Sequence, residues 1–275
     1  MDTQTITQSL AYISWVLLLG MALGMLALVV LLRQTTDATP GFLSFTAFSA
    51  GLTGILVWFV DTSLPDPAAL HIQAAHGLDT PRSLAVAAFA ILAIVAGIRM
   101  KGGHRAFWVG VGGIAAGILA VALGALGWAA SPADGVPLLV QLLALAAVTG
   151  GSVGAVILAH WYLVTPRISE KPLILTTRLL CWALGIQLLL FLVWVAFGIP
   201  SGAPFGALTG SNAALVWLRL TVGIIFPLVL AVMAYKTALT RSMESATGLL
   251  YIELTLVLAS TIVAAGLAVG TGLLV

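Results

Sequence analysis

The chain is constrained most by its alternation of long apolar runs with short polar turns. A transmembrane helix needs roughly 20 predominantly apolar residues. Eight runs approach or exceed that length, at 10–32, 42–60, 83–98, 106–129, 138–164, 173–197, 213–239 and 249–274, the third being the shortest. Lipid offers the backbone no hydrogen-bond partners, and these runs are too long and continuous for barrel strands, so each is expected to be a helix. Composition agrees: 61% of residues are hydrophobic and 7% charged, against about a quarter charged in a soluble domain. The longest polar connection, 61–82, is too short to fold alone. The expectation is an all-α integral membrane protein, a polytopic bundle of about eight transmembrane helices forming a single membrane domain over 1–275.

The start, MDTQTITQSL, has no basic n-region, and a full span follows it, so no cleavable signal peptide is expected. The one cysteine, Cys181, lies inside an apolar run, which excludes a disulfide framework. Lys and Arg set orientation. The odd-numbered connections carry Arg33, then Arg99, Lys101 and Arg105, then Arg167 and Lys171, then Arg241 with Lys236 beside it; the even-numbered ones carry only Arg82. The bundle is therefore expected N-out and C-out, in a bacterial inner (cytoplasmic) membrane. In the outer connection, Asp66 suits an N-cap, Pro67 a first helical position and Gly77 a C-terminal cap, which predicts a short surface helix over about 67–76.

The two halves of the chain, 1–130 and 137–275, follow the same plan. Each reads as a small-residue helix, a turn containing TP, a helix ending ILVWFV or FLVWVAF, an outer loop, and two helices joined by a basic turn. This suggests two four-helix halves in one orientation. In helix number and in this pattern the chain resembles the haem-free, eight-helix anchor subunits of the polysulfide-reductase type. That resemblance implies two four-helix bundles, a bound quinone and a redox partner subunit. It rests on architecture alone and carries over no individual residue. Gly20 and Gly24, Gly110, Gly113 and Gly117, and Gly266 and Gly270 form GxxxG-type seams suited to packing inside the bundle, or to an oligomer.

Ionisable residues inside spans are expensive and usually face the bundle interior. His160 stands about four residues before the end of the fifth run, and Arg178 and Glu253 about five residues into the sixth and eighth. At 1.5 Å per residue all three are expected roughly 6–8 Å below the inner surface. An imidazole, a guanidinium and a carboxylate at one level, with hydroxyls from Tyr162, Tyr251 and Thr177, would make a polar pocket able to bond quinone oxygens and pass protons. The competing reading is snorkelling Arg178, with Glu253 as its counter-ion and His160 in the interfacial belt. On the outer side, Arg219 lies about one and a half turns deep with Asp61 as candidate partner. Pro227 should kink the seventh span.

Other chemistries find no support. His160 is the only histidine within a span, which disfavours bis-histidine haem; His71 and His76 point apart on a helix, which disfavours a shared metal. There is no nucleophile elbow and no nucleic-acid signal, and no metal site or resident cofactor is expected beyond a bound quinone. The leading reading is a membrane anchor subunit of a redox complex, partnered by the lipid bilayer and a redox subunit, with quinone near the cytoplasmic face. The alternatives are a small-solute or ion transporter and a structural or assembly subunit. A transporter would normally show broken helices and polar residues at mid-membrane, and the central stretches read as very apolar apart from Thr149 and Gln187.

Overall fold

The computed structural model describes residues 3–68, 70–73, 75–129, 131–165, 168–199 and 203–275. These residues form helices and connections without strands. Eight helices are long and apolar enough to cross a membrane: α1 (Thr3–Thr35), α2 (Pro40–Thr62), α3 (Asp79–Lys101), α4 (Phe107–Trp128), α5 (Pro132–Val164), α6 (Lys171–Phe197), α7 (Ala213–Leu239) and α8 (Met243–Thr271). The chain is a polytopic helical membrane protein.

Several helices begin ahead of their apolar runs, α2 and α5 at side-chain caps. The Thr39 hydroxyl accepts from the Phe42 amide, with Pro40 at the first helical position of α2. Ser131 caps α5: its hydroxyl accepts from the Asp134 amide at 3.3 Å and donates to the Asp134 carboxylate at 2.7 Å. That closes two polar groups on each other at a helix start, with the carboxylate at N3. α5 therefore begins ahead of the apolar run and continues through Pro137. α3, the shortest run by composition, is a full 23-residue helix. α8 starts at Met243, six residues before its apolar run.

Contacts between helices divide the bundle into two rings. α1 packs on α2, α2 on α3, α3 on α4 and α4 back on α1; α5 to α8 close a second ring in the same order. α1 joins the rings by packing on α5 and α8, and α4 also touches α5. α1 and α5 are accordingly the most buried of the eight. Their seam needs glycine. A Cβ on Gly24 would collide with the backbone of Ala146 and Gly150, and one on Gly150 would strike the backbone of Met21, Gly24 and Met25. The small residues of α4 are likewise filled from within, since Gly110, Gly113 and Gly117 receive Val30, Leu26 and Leu23 of α1. In α8 the glycines form no seam inside the bundle: Gly266 makes only an ordinary contact with Ile13, and no atom lies within 4 Å of a Cβ placed on Gly270.

The connections carrying Arg33, Arg99, Lys101, Arg105, Lys171 and Arg241 fall at one end of the bundle, which we call the basic end; Arg167 lies outside the described residues. Arg33 donates to the main-chain oxygen of Gly103 in the neighbouring connection, and Arg241 pairs with Glu170 at 3.6 Å. At the opposite, outer end, the expected surface helix over 67–76 is not formed by the described residues. This segment instead runs across the ends of two helices. The amides of His71, Gln73 and Ala75 donate to the main-chain oxygens of Val269, Trp128 and Gly127 at 3.0, 2.9 and 3.2 Å. Those oxygens belong to the last turns of α8 and α4, where carbonyls lack intrahelical partners. Satisfying them outcompetes a short isolated helix, and one 3₁₀ turn follows at His76–Leu78.

Candidate functional site

The residues expected to share one level near the basic end do not form one pocket. His160 and Tyr251 do meet, with Nδ1 3.3 Å from the tyrosine hydroxyl, but both are exposed on the bundle surface. Arg178 is exposed as well. Thr176 and Thr177 are the residues that α6 turns inward, and a step of one residue, about 100°, carries Arg178 away from them. The Thr177 hydroxyl donates to Leu173 O of its own helix at 2.9 Å. Tyr162 is buried and donates its hydroxyl to Ser169 O, which fastens the connection from α5 to α6.

Glu253 lies deeper than expected because α8 starts earlier than its apolar run. It stands ten residues after Met243, so about 15 Å along the helix. The Thr247 hydroxyl, 3.3 Å from Ala159 O, marks the depth of the His160 region. Glu253 is six residues further, about 9 Å beyond that level. It is wholly buried, and its partner is Ser152 of α5, whose hydroxyl donates to Oε1 at 2.9 Å. Oε2 has no hydrogen-bond partner among the described residues.

Above Glu253 the interior of the second ring stays polar. Thr149 and Thr261 share a hydrogen bond of 2.8 Å between α5 and α8. Gln187 of α6 is buried with its Nε2 unpartnered among the described residues. Arg219 of α7 is 1% exposed. Its Nη1 donates to Ser260 Oγ and to Gly223 O, its Nε donates to the main-chain oxygen of Val275 at 3.3 Å, and Nη2 is unpartnered among the described residues. Asp61, the expected partner of Arg219, sits in the other ring and bonds Arg82 at 2.7 Å.

The Arg219 site lies where α7 widens into a π turn. Thr221–Ile225 form a five-residue π-helical segment immediately before Phe226 and Pro227. Pro227 has no N–H to give Gly223 O, the oxygen four residues back. Ser260 supplies the missing donor from α8, at 2.9 Å. Gly223 must be glycine for that approach, since a Cβ there would collide with Ser260 Oγ. The sequence therefore announces Pro227 correctly, but the consequence is a π segment with a shared carbonyl. π segments concentrate at functional positions in helices.

Ser152, Ser260 and Thr261 were missed by reading charged residues, and Thr149 was noted only as a polar exception. Their signal was periodicity: Glu253, Val257, Ser260, Thr261 and Ala264 are all buried and follow the 3, 4 and 7 spacing of one helix face. Chemically, the second ring encloses a carboxyl group with a free oxygen, a hydroxyl pair, an amide and a guanidinium, on four helices. No protein-family model, curated protein or solved structure matches this chain.

Proposed function

We propose that this protein is a membrane carrier for a small solute or ion, in which Glu253 binds and releases the coupling cation inside the second ring. One observation carries the reading: a carboxyl group that is wholly buried close to mid-bundle, with Ser152 on one oxygen and no partner on the other among the described residues. An ionised side chain at the bilayer centre costs about 2.5–3.5 kcal/mol on insertion scales. A bound proton or monovalent cation removes that charge, and Oε2 is where it would sit. The π segment of α7 and the Thr149–Thr261 pair support the same reading, since π segments concentrate at functional positions and transporters place polar groups near the midplane. In a bacterial cytoplasmic membrane, with the basic end inward, Glu253 would exchange its cation between the two faces as the rings or α7 rearrange.

The test uses the purified protein alone in liposomes carrying an entrapped pH-sensitive dye, or radioactive sodium for uptake, under an imposed potential. Proton or sodium flux should exceed that of protein-free liposomes, and Glu253→Gln should return it to that background. Equal flux in Glu253→Gln, or no flux in the unaltered protein, overturns the reading.

One observation favours a second reading, a redox-complex anchor that binds quinone at the basic end. His160 and Tyr251 form a hydrogen-bonding pair on the exposed face, where a quinol headgroup could approach from lipid. Mild-detergent purification from native membranes, with mass spectrometry of co-purifying proteins, tests it. A partner bearing iron–sulfur, haem or molybdenum motifs would support the anchor, and a single clean species would remove it.

A further inference from the structure

The outer end of the first ring holds a cleft that the carrier reading does not use. Its volume is about 480 Å³, within the range of small-molecule sites, roughly 300–1,000 Å³. Asp61 lines it while only 5% exposed. One oxygen of Asp61 is fully engaged: Oδ1 accepts from Trp15 Nε1 and from Arg82 Nε, both at 2.7 Å. The other, Oδ2, has no partner among the described residues. A buried carboxylate oxygen without a donor is a group waiting for one.

The surroundings decide what kind of donor fits. Asp66 and Asp79 line the same cleft, so its described lining holds three carboxylates and one guanidinium. Arg82 is committed to Asp61 and Asp79, at 2.7 and 2.8 Å, and its guanidinium lies 5.6 Å from the centre of the Trp128 ring. An anion would find no uncommitted cationic side chain in the lining. The apolar share of the wall is aromatic: Tyr12, Trp58 and Trp128. Tyr12 is held there by its hydroxyl on Pro65 O at 2.8 Å and by edge contact with Trp128. Carboxylates combined with aromatic faces recognise organic cations. A metal ion would need oxygen ligands gathered around one point, and the described residues hold no group of three or more His, Cys, Asp or Glu able to do so.

We propose that this outer cleft is a binding site for an organic ammonium compound, whose N–H groups or methyl groups face Asp61 Oδ2 and the aromatic wall. It lies in the first ring and stands independently of the Glu253 carrier reading, so either can fail alone.

Calorimetric titration of the full chain in detergent, at fixed ionic strength, tests it with four probes: n-butylammonium, tetramethylammonium, n-butanol and sodium. The expected result is saturable binding of at least one ammonium probe, with n-butanol and sodium silent. Asp66→Asn and Trp58→Ala should each weaken that binding at least about threefold, the scale of one exposed cation–π or charge contact. Asp66 and Trp58 are rim residues, both exposed, so these variants report on the cleft without opening the buried Asp61–Arg82 pair. Absence of saturable ammonium binding overturns the proposal. So does equal binding of n-butanol or sodium, or unaltered affinity in both variants.

Discussion

Asp61, in the last turn of α2, and Arg82, in the first turn of α3, are joined by a 2.7 Å ion pair with both side chains almost wholly buried. The pair explains the one apparent exception to the charge asymmetry. Arg82 is the only lysine or arginine at the described α2–α3 connection, and it is paired with the buried Asp61 and the half-exposed Asp79.

Breaking this pair from one side leaves Arg82 with Asp79 as its remaining carboxylate partner. Asp61→Asn should therefore destabilise the protein by about 1–3 kcal/mol, less than the roughly 3–5 kcal/mol of a wholly uncompensated buried charge. The double variant Asp61→Leu with Arg82→Met should recover most of that loss. Thermal unfolding in detergent of the single and double variants checks it. A single variant as stable as the unaltered protein would show that the pair is not held dry.

Glu253→Gln should leave folding intact. The amide has the volume of the acid, and its oxygen can still accept from the Ser152 hydroxyl, so stability should change by no more than about 1 kcal/mol. Thermal unfolding measured beside the flux assay separates loss of transport from loss of fold. A collapse of stability would mean that the carboxyl group is structural.

The α1–α5 seam should be intolerant and the α8 glycines tolerant. Gly24→Val or Gly150→Val forces the two backbones apart, an overpacking cost of about 1–3 kcal/mol or more. Gly270→Val has open space around it and should be silent. Size-exclusion stability of heated samples reads all three. If Gly24→Val were silent, the rings would not meet where the structure joins them.

Pro227→Ala restores an N–H that can reach Gly223 O. It should compete with Ser260 and Arg219 for that oxygen, shorten the π segment and raise thermal stability, because a proline within a helix costs about 3 kcal/mol. Under the carrier reading, flux should fall at the same time. Lower stability in Pro227→Ala would show that the π segment does not originate in the missing donor.

Helix number, the polarity of the ends and an irregularity near Pro227 were legible in the chain itself. Each depends on local chemistry: the length of an apolar run, lysine and arginine beside it, a residue without an N–H. The two-ring packing was only suggested by the matching halves, and the Gly24–Gly150 approach became visible once α1 lay on α5. The binding residues were less legible because facing is not local. Thr177 and Arg178 are neighbours in the chain, yet one is buried and the other exposed. α8 starts at Met243, ahead of its apolar run, which places Glu253 away from the level of His160 and against Ser152. Asp61 could have served Arg219 or Arg82 on composition alone. Tertiary packing decided for Arg82, because α2 and α3 are neighbours in the first ring while Arg219 belongs to the second.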